Sequence, residues 1–109
     1  MKIAVIGGGS WGTALAINLA ANSHDSYIWD VDEAHLKAMA IERENSKYLP
    51  GVALPERVHI SLDEGEALDK AELILFSVPS QHFEEALKKA LPLMPKGVPA
   101  VNVAKGIDS

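Results

Sequence analysis

The chain has 109 residues, 48% of them hydrophobic and 23% charged, a balance that excludes a disordered segment and amounts to one domain. Lys plus Arg is 10 against 15 for Asp plus Glu, giving a net charge of −5. The longest basic run is Lys88-Lys89, so binding to nucleic acid is not expected. The absence of cysteine excludes disulfides and thiolate metal sites, and it fits a reducing compartment.

In chain order, strand and helix patterns alternate. Lys2 to Ile6 (KIAVI) is short, rich in β-branched residues and closed by glycines, the pattern of a buried strand. No charge falls between Ile3 and Ser23, but Gly7, Gly8 and Gly9 would cost a helix there about 3 kcal/mol relative to alanine. That argues against a signal peptide or membrane span, and a soluble, cytoplasmic protein is expected. Ser10 to Ala21 predicts a helix packed on a sheet, Ser26 to Asp30 a second strand, and Asp32 to Glu44 a helix with an inner stripe of Leu36, Met39 and Ala40. Asn45 to Pro55 holds two prolines and a glycine and reads as a loop. Arg57 to Ile60 is a weak third strand, and Ser61-x-x-Glu64 resembles a capping box that opens a short helix to about Asp69. Glu72 to Val78 is the strongest strand pattern. Ser80 is expected to cap a helix to about Leu91, Pro92 to Pro99 a loop, and Ala100 to Ala104 a fifth strand. The alternation predicts an α/β, doubly wound parallel sheet with strand order 3-2-1-4-5, and residues 1–109 forming a single domain.

Gly7-x-Gly9-x-x-Gly12 follows the first strand and opens the first helix. In a Rossmann-type dinucleotide fold, the first glycine makes the tight turn. The second lets backbone approach a pyrophosphate, and the third lets the helix lie close to the strand. The amides of Ser10, Trp11 and Gly12 would then face the anion. Asp30, 18 residues after Gly12, ends the second strand. An acid there hydrogen-bonds the ribose hydroxyls of NAD. It would repel the 2′-phosphate of NADP by about 4 kcal/mol at about 4 Å and an effective dielectric of about 20. NAD is therefore the cofactor expected; the alternative reading is that Asp30 merely begins the next helix as its cap, with Asp32 sharing the job. His24, His35 and His59 are scattered, without metal-ligand spacing.

Four segments together carry a family resemblance: GGGSWGTA, ENSKYLPGVALPERV, VPSQHF and the terminal AKGID. The chain resembles the N-terminal domain of NAD(P)-dependent glycerol-3-phosphate dehydrogenase along its whole length. The resemblance implies that Ser10 and Trp11 contact the cofactor pyrophosphate. It also implies that Lys105 reaches both cofactor and substrate, with Val78-Pro79-Ser80 along the cofactor path. His82 or Phe83 would touch the cofactor or simply pack. Tyr48-Leu49-Pro50-Gly51 would shape its loop. Bacterial members often carry a glycine and a basic residue after the second-strand tryptophan. Asp30 and Val31 stand there instead, which again favours NAD over NADP.

The implied reaction interconverts sn-glycerol 3-phosphate and dihydroxyacetone phosphate and feeds glycerophospholipid synthesis. In the family, the acid–base lysine and most of the substrate site belong to a helical second domain, and the full-length protein is a homodimer. No catalytic residue is therefore expected between Met1 and Ser109. Two other readings remain compatible with the residues. One is another dehydrogenase, of the 6-phosphogluconate, 3-hydroxyacyl or ketopantoate type. The other is a stand-alone NAD(H)-sensing module.

Overall fold

In the structure, a computed structural model, residues 1–103 are described. Twelve-residue α1 (Ser10–Ala21) follows β1 (Lys2–Ile6), and β2 (Asp25–Trp29) and α2 (Glu33–Glu42) come next. A short excursion, β3 (Glu44–Asn45) and β4 (Leu49–Ala53), precedes β5 (Val58–Ile60) and α3 (Glu64–Leu68). Strand β6 (Leu73–Phe76), helix α4 (Ser80–Ala90), a 3-10 turn (Leu91–Leu93) and β7 (Ala100–Asn102) complete the described chain.

The main sheet has five parallel strands in the order β5-β2-β1-β6-β7. Counting only the strands read from the sequence, this is the expected 3-2-1-4-5. Strand β1 is central, and its side chains alternate between faces, as a pleated strand requires. Val5 joins Ala16, Ala20, Ile28, Leu36, Met39, Leu54 and Val58 in one buried cluster. Ala4 and Ile6 join Leu68, Ala71, Ile74, Phe76 and Ala90 in the other. Helices α1 and α2 therefore cover one face, and α3 and α4 the other.

Five local expectations are corrected. Helix α2 stops at Glu42, because Arg43 takes a left-handed conformation (φ 54°) and turns the chain out of the helix. The segment Asn45 to Pro55 is not all loop, for β3 and β4 pair antiparallel within it. Pro50 and Gly51 are tolerated because this is a two-stranded ribbon with free edges. Asp63, not Ser61, caps α3 by accepting from the Glu66 amide, while the Ser61 hydroxyl donates to the Glu66 carboxylate. Pro79, not Ser80, occupies the N-cap position of α4. The segment after α4 begins as the 3-10 turn rather than as irregular loop. Ala104, the expected end of the last strand, lies outside the described residues.

Among the described residues no helix is long and apolar enough to cross a membrane.

Candidate functional site

The site is built on the turn between β1 and α1. Gly7 has φ 123°, and its N–H donates to the Trp29 carbonyl at 2.8 Å. A Cβ on Gly7 would run into the Ser77 carbonyl. A Cβ on Gly12 would run into the Gly7 carbonyl oxygen and press on Ser77 Cβ at 3.1 Å. These two glycines are required by the fold itself, since each lies against backbone. Gly9 is different. Its backbone is ordinary extended chain (φ −78°, ψ −169°), and a Cβ there would meet no atom within 4 Å. Gly9 is the N-cap of α1 and offers no capping side chain. The first-turn amides of Ser10, Trp11 and Gly12 thus have no partner within the helix, and the helix dipole adds a positive field there.

Gly8 is clamped from both sides. Its N–H donates to Asp30 Oδ2 at 2.6 Å, and Asp30 Oδ1 accepts from the Asp32 amide at 2.9 Å. Asp32 caps α2 by accepting from the His35 amide at 3.1 Å. That bond, with the nearby Lys47 ammonium, holds the Asp32 carboxyl below the usual range despite some desolvation. Asp30 thus serves the glycine turn, and Asp32 serves the helix. The Gly8 carbonyl faces His35 Nε2 at 2.8 Å and accepts from Asn45 Nδ2 at 2.9 Å. A carbonyl only accepts, so the His35 proton resides on Nε2.

Asn45 is fully buried, donates to Thr13 Oγ1 at 2.8 Å and accepts from the Tyr48 amide at 3.1 Å. The Tyr48 ring meets His35 edge-on at 5.2 Å. At the far end of the same excursion, Arg43 donates to the carbonyls of Pro55 and Val58, both at 2.7 Å. Asn45 therefore ties the β3–β4 excursion to the glycine turn and to α1. Nothing in the sequence pattern singles out His35 or Asn45. Their common partner, Gly8, is far away along the chain.

A cleft of about 400 Å3 opens at the C-terminal ends of β1, β2 and β6, where ligands of open α/β sheets bind. Gly7, Asp30, Val31 and Pro79 line it. Val31 is 76% exposed. His82 also lines the cleft, whereas Phe83 packs edge-on against Phe76 in the core at 5.4 Å. Trp11 is 41% exposed in the first turn of α1, and Ser10 precedes it. Lys105 lies outside the described residues. Among the described residues no three His, Asp or Glu side chains are placed to hold a metal.

The cleft's far end holds Glu64, Lys89 and Trp29, with Lys89 Nζ 5.2 Å from the centre of the Trp29 ring. Glu64 is buried, and desolvation pushes its carboxyl above the ordinary 4.5, although Lys89 pulls the other way. In this window the folded chain binds more protons than the unfolded chain, so stability falls as pH rises through it. Asp25 has the opposite sign. A hydrogen bond from His59, then the Arg57 charge, hold it below 3.8 against some desolvation, so its contribution is lost as pH falls through its folded value. Glu64→Gln is therefore expected to raise the melting temperature at pH 7 but not at pH 3.5. Equal shifts at both pH values would place the effect in packing instead.

The family model described as NAD-dependent glycerol-3-phosphate dehydrogenase N-terminus matches residues 2–109. The chain belongs to this family. A glycerol-3-phosphate dehydrogenase, NAD(P)+, of Teredinibacter turnerae is 39% identical over 108 residues, covering 99% of this chain and 32% of that protein. The corresponding protein of Bacillus pumilus is 42% identical over 107 residues, covering 98% and 31%. A crystal structure of glycerol-3-phosphate dehydrogenase from Coxiella burnetii superposes with a TM-score of 0.86 at 30% identity, covering 97% of this chain and 36% of that one. The chain thus spans about a third of the length of these glycerol-3-phosphate dehydrogenases.

Proposed function

We propose that this chain is the dinucleotide-binding domain of an oxidoreductase that interconverts sn-glycerol 3-phosphate and dihydroxyacetone phosphate, with NAD preferred over NADP. The observation that carries the reading is Gly9. No neighbouring atom requires a glycine there, and the space beyond it adjoins the unpaired amides of the first turn of α1. A pyrophosphate needs such a position. Ser10, Trp11 and Gly12 would donate to it, Asp30 would accept from ribose hydroxyls, and Val31 and Pro79 would flank the cofactor. Lys105 would reach cofactor and substrate. The bound nicotinamide supplies or accepts the hydride.

Asp30 already accepts from two backbone amides, which orients its carboxylate at the cleft. A 2′-phosphate would meet that charge. The acid–base group and the phosphate clamp are assigned to a helical second domain of the whole protein, a cytoplasmic homodimer. Neither nucleic acid nor membrane is a partner in this reading. On its own the chain is expected to bind cofactor and turn over no glycerol 3-phosphate.

Parallel fluorescence titration with NADH and NADPH at low salt tests this. Tighter binding of NADH is expected, with Asp30→Asn narrowing the difference while keeping an acceptor for the Gly8 amide. Tighter binding of NADPH would discard selection by Asp30. Binding of neither at millimolar concentration would overturn the site.

A further inference from the structure

We infer that Glu64 reads the base of the dinucleotide, its carboxylate accepting a hydrogen bond from the exocyclic amino group of adenine. This rests on the cofactor reading above and extends it to a residue that the fingerprint does not include. Glu64 is only 7% exposed, yet it lines the cleft. Its carboxylate receives no hydrogen bond from any described residue. Capping does not use it, because Asp63 caps α3 and Ser61 turns to Glu66. The carboxylate oxygens themselves are not sealed from solvent, so a ligand in the cleft can supply the donor that the described residues do not.

Position identifies the donor. The cleft runs from Gly7 at the turn, past Asp30, to Glu64 and Lys89 between α3 and α4. With pyrophosphate at the turn and ribose at Asp30, the base falls at the far end. The apolar side chains there, Trp29, Val31, Pro79 and Ala86, suit a flat ring. On adenine, the exocyclic amine is the N–H donor. Hypoxanthine carries a carbonyl oxygen at that position, which a carboxylate repels. The Lys89 charge tempers the rise in the Glu64 pKa.

The test compares binding of NADH and reduced nicotinamide hypoxanthine dinucleotide to the full chain and two variants. The wild type is expected to prefer NADH by about fivefold or more, the worth of one buried hydrogen bond. Glu64→Leu is expected to abolish the preference, chiefly by weakening NADH. Glu64→Gln, whose amide oxygen still accepts, is expected to hold NADH affinity within about twofold. Because an amide also donates, it should bind the hypoxanthine analogue better than the wild type does. Thermal melts of both variants establish that they fold. Equal binding of the two dinucleotides by the wild type, or a preference that survives in Glu64→Leu, overturns the inference and leaves the cofactor site standing. Binding of neither dinucleotide by the wild type overturns the cofactor site and the inference with it.

Discussion

Gly9→Ala is expected to leave the chain folded and to weaken NADH binding about 10- to 100-fold, whereas Gly12→Ala is expected to unfold it more readily. The two glycines stand three residues apart in one turn, but different things lie beyond them. A methyl on Gly9 points into open space. Its backbone angles suit alanine, which gains from a stiffer unfolded chain and loses a little as an N-cap. Those effects nearly cancel, leaving stability within about 0.5 kcal/mol of the wild type. The same methyl would stand where the pyrophosphate approaches, an overpacking cost of about 1–3 kcal/mol in binding. A methyl on Gly12 meets the Gly7 carbonyl oxygen and Ser77, so helix and strand must part. That costs about 2–4 kcal/mol and lowers the melting midpoint by roughly 10–30 °C. Melting curves and NADH titrations of both variants check the pair. Unchanged NADH affinity in Gly9→Ala would remove the main support for the proposed function.

Asn45→Ala is expected to destabilise the chain by about 2–4 kcal/mol, more than any exposed polar change. The amide makes three hydrogen bonds, to the Gly8 carbonyl, the Thr13 hydroxyl and the Tyr48 N–H. Alanine leaves Thr13 and the Tyr48 amide short of a partner in a site that holds no exposed surface at residues 13 and 45. The Gly8 carbonyl would keep only His35. Chemical denaturation gives the stability. NADH affinity in the same variant reports whether the Asn45 hydrogen bonds also shape the turn. A loss below about 1 kcal/mol would mean that water replaces the amide without strain.

The frame of this fold is legible in the sequence because it depends on local pattern. KIAVI and ELILFSV are apolar runs closed by turn residues, and the glycines at 7, 9 and 12 sit between strand and helix. What was not legible depends on distant partners. Asn45 is a polar residue in a stretch with proline and glycine, which reads as surface, yet it is buried because Gly8 and Thr13 reach it from another element. The β3–β4 ribbon involves only two residues on one side, too few to show alternation. Glu64 matched a capping pattern three residues after Ser61, but Asp63 was as good a cap and nearer the helix start. Of the site, the turn and Asp30 were visible as a fingerprint. The far end of the cleft was not, since Trp29, Glu64 and Lys89 meet only after α3 and α4 have packed on the same face.

The central place of β1 carries a consequence for how the chain is made. Within this domain β1 is made before both of its neighbours in the sheet, β2 on one side and β6 on the other. At roughly 5–20 residues per second, synthesis from residue 30 to residue 72 takes roughly 2–9 s. Through that interval a nascent β1–β2 pair would present an apolar edge whose native neighbour does not yet exist. Such distant pairing raises the contact order and slows folding. During translation, the most buried strand of the finished domain is therefore its most exposed liability, a natural place for a chaperone to hold the chain.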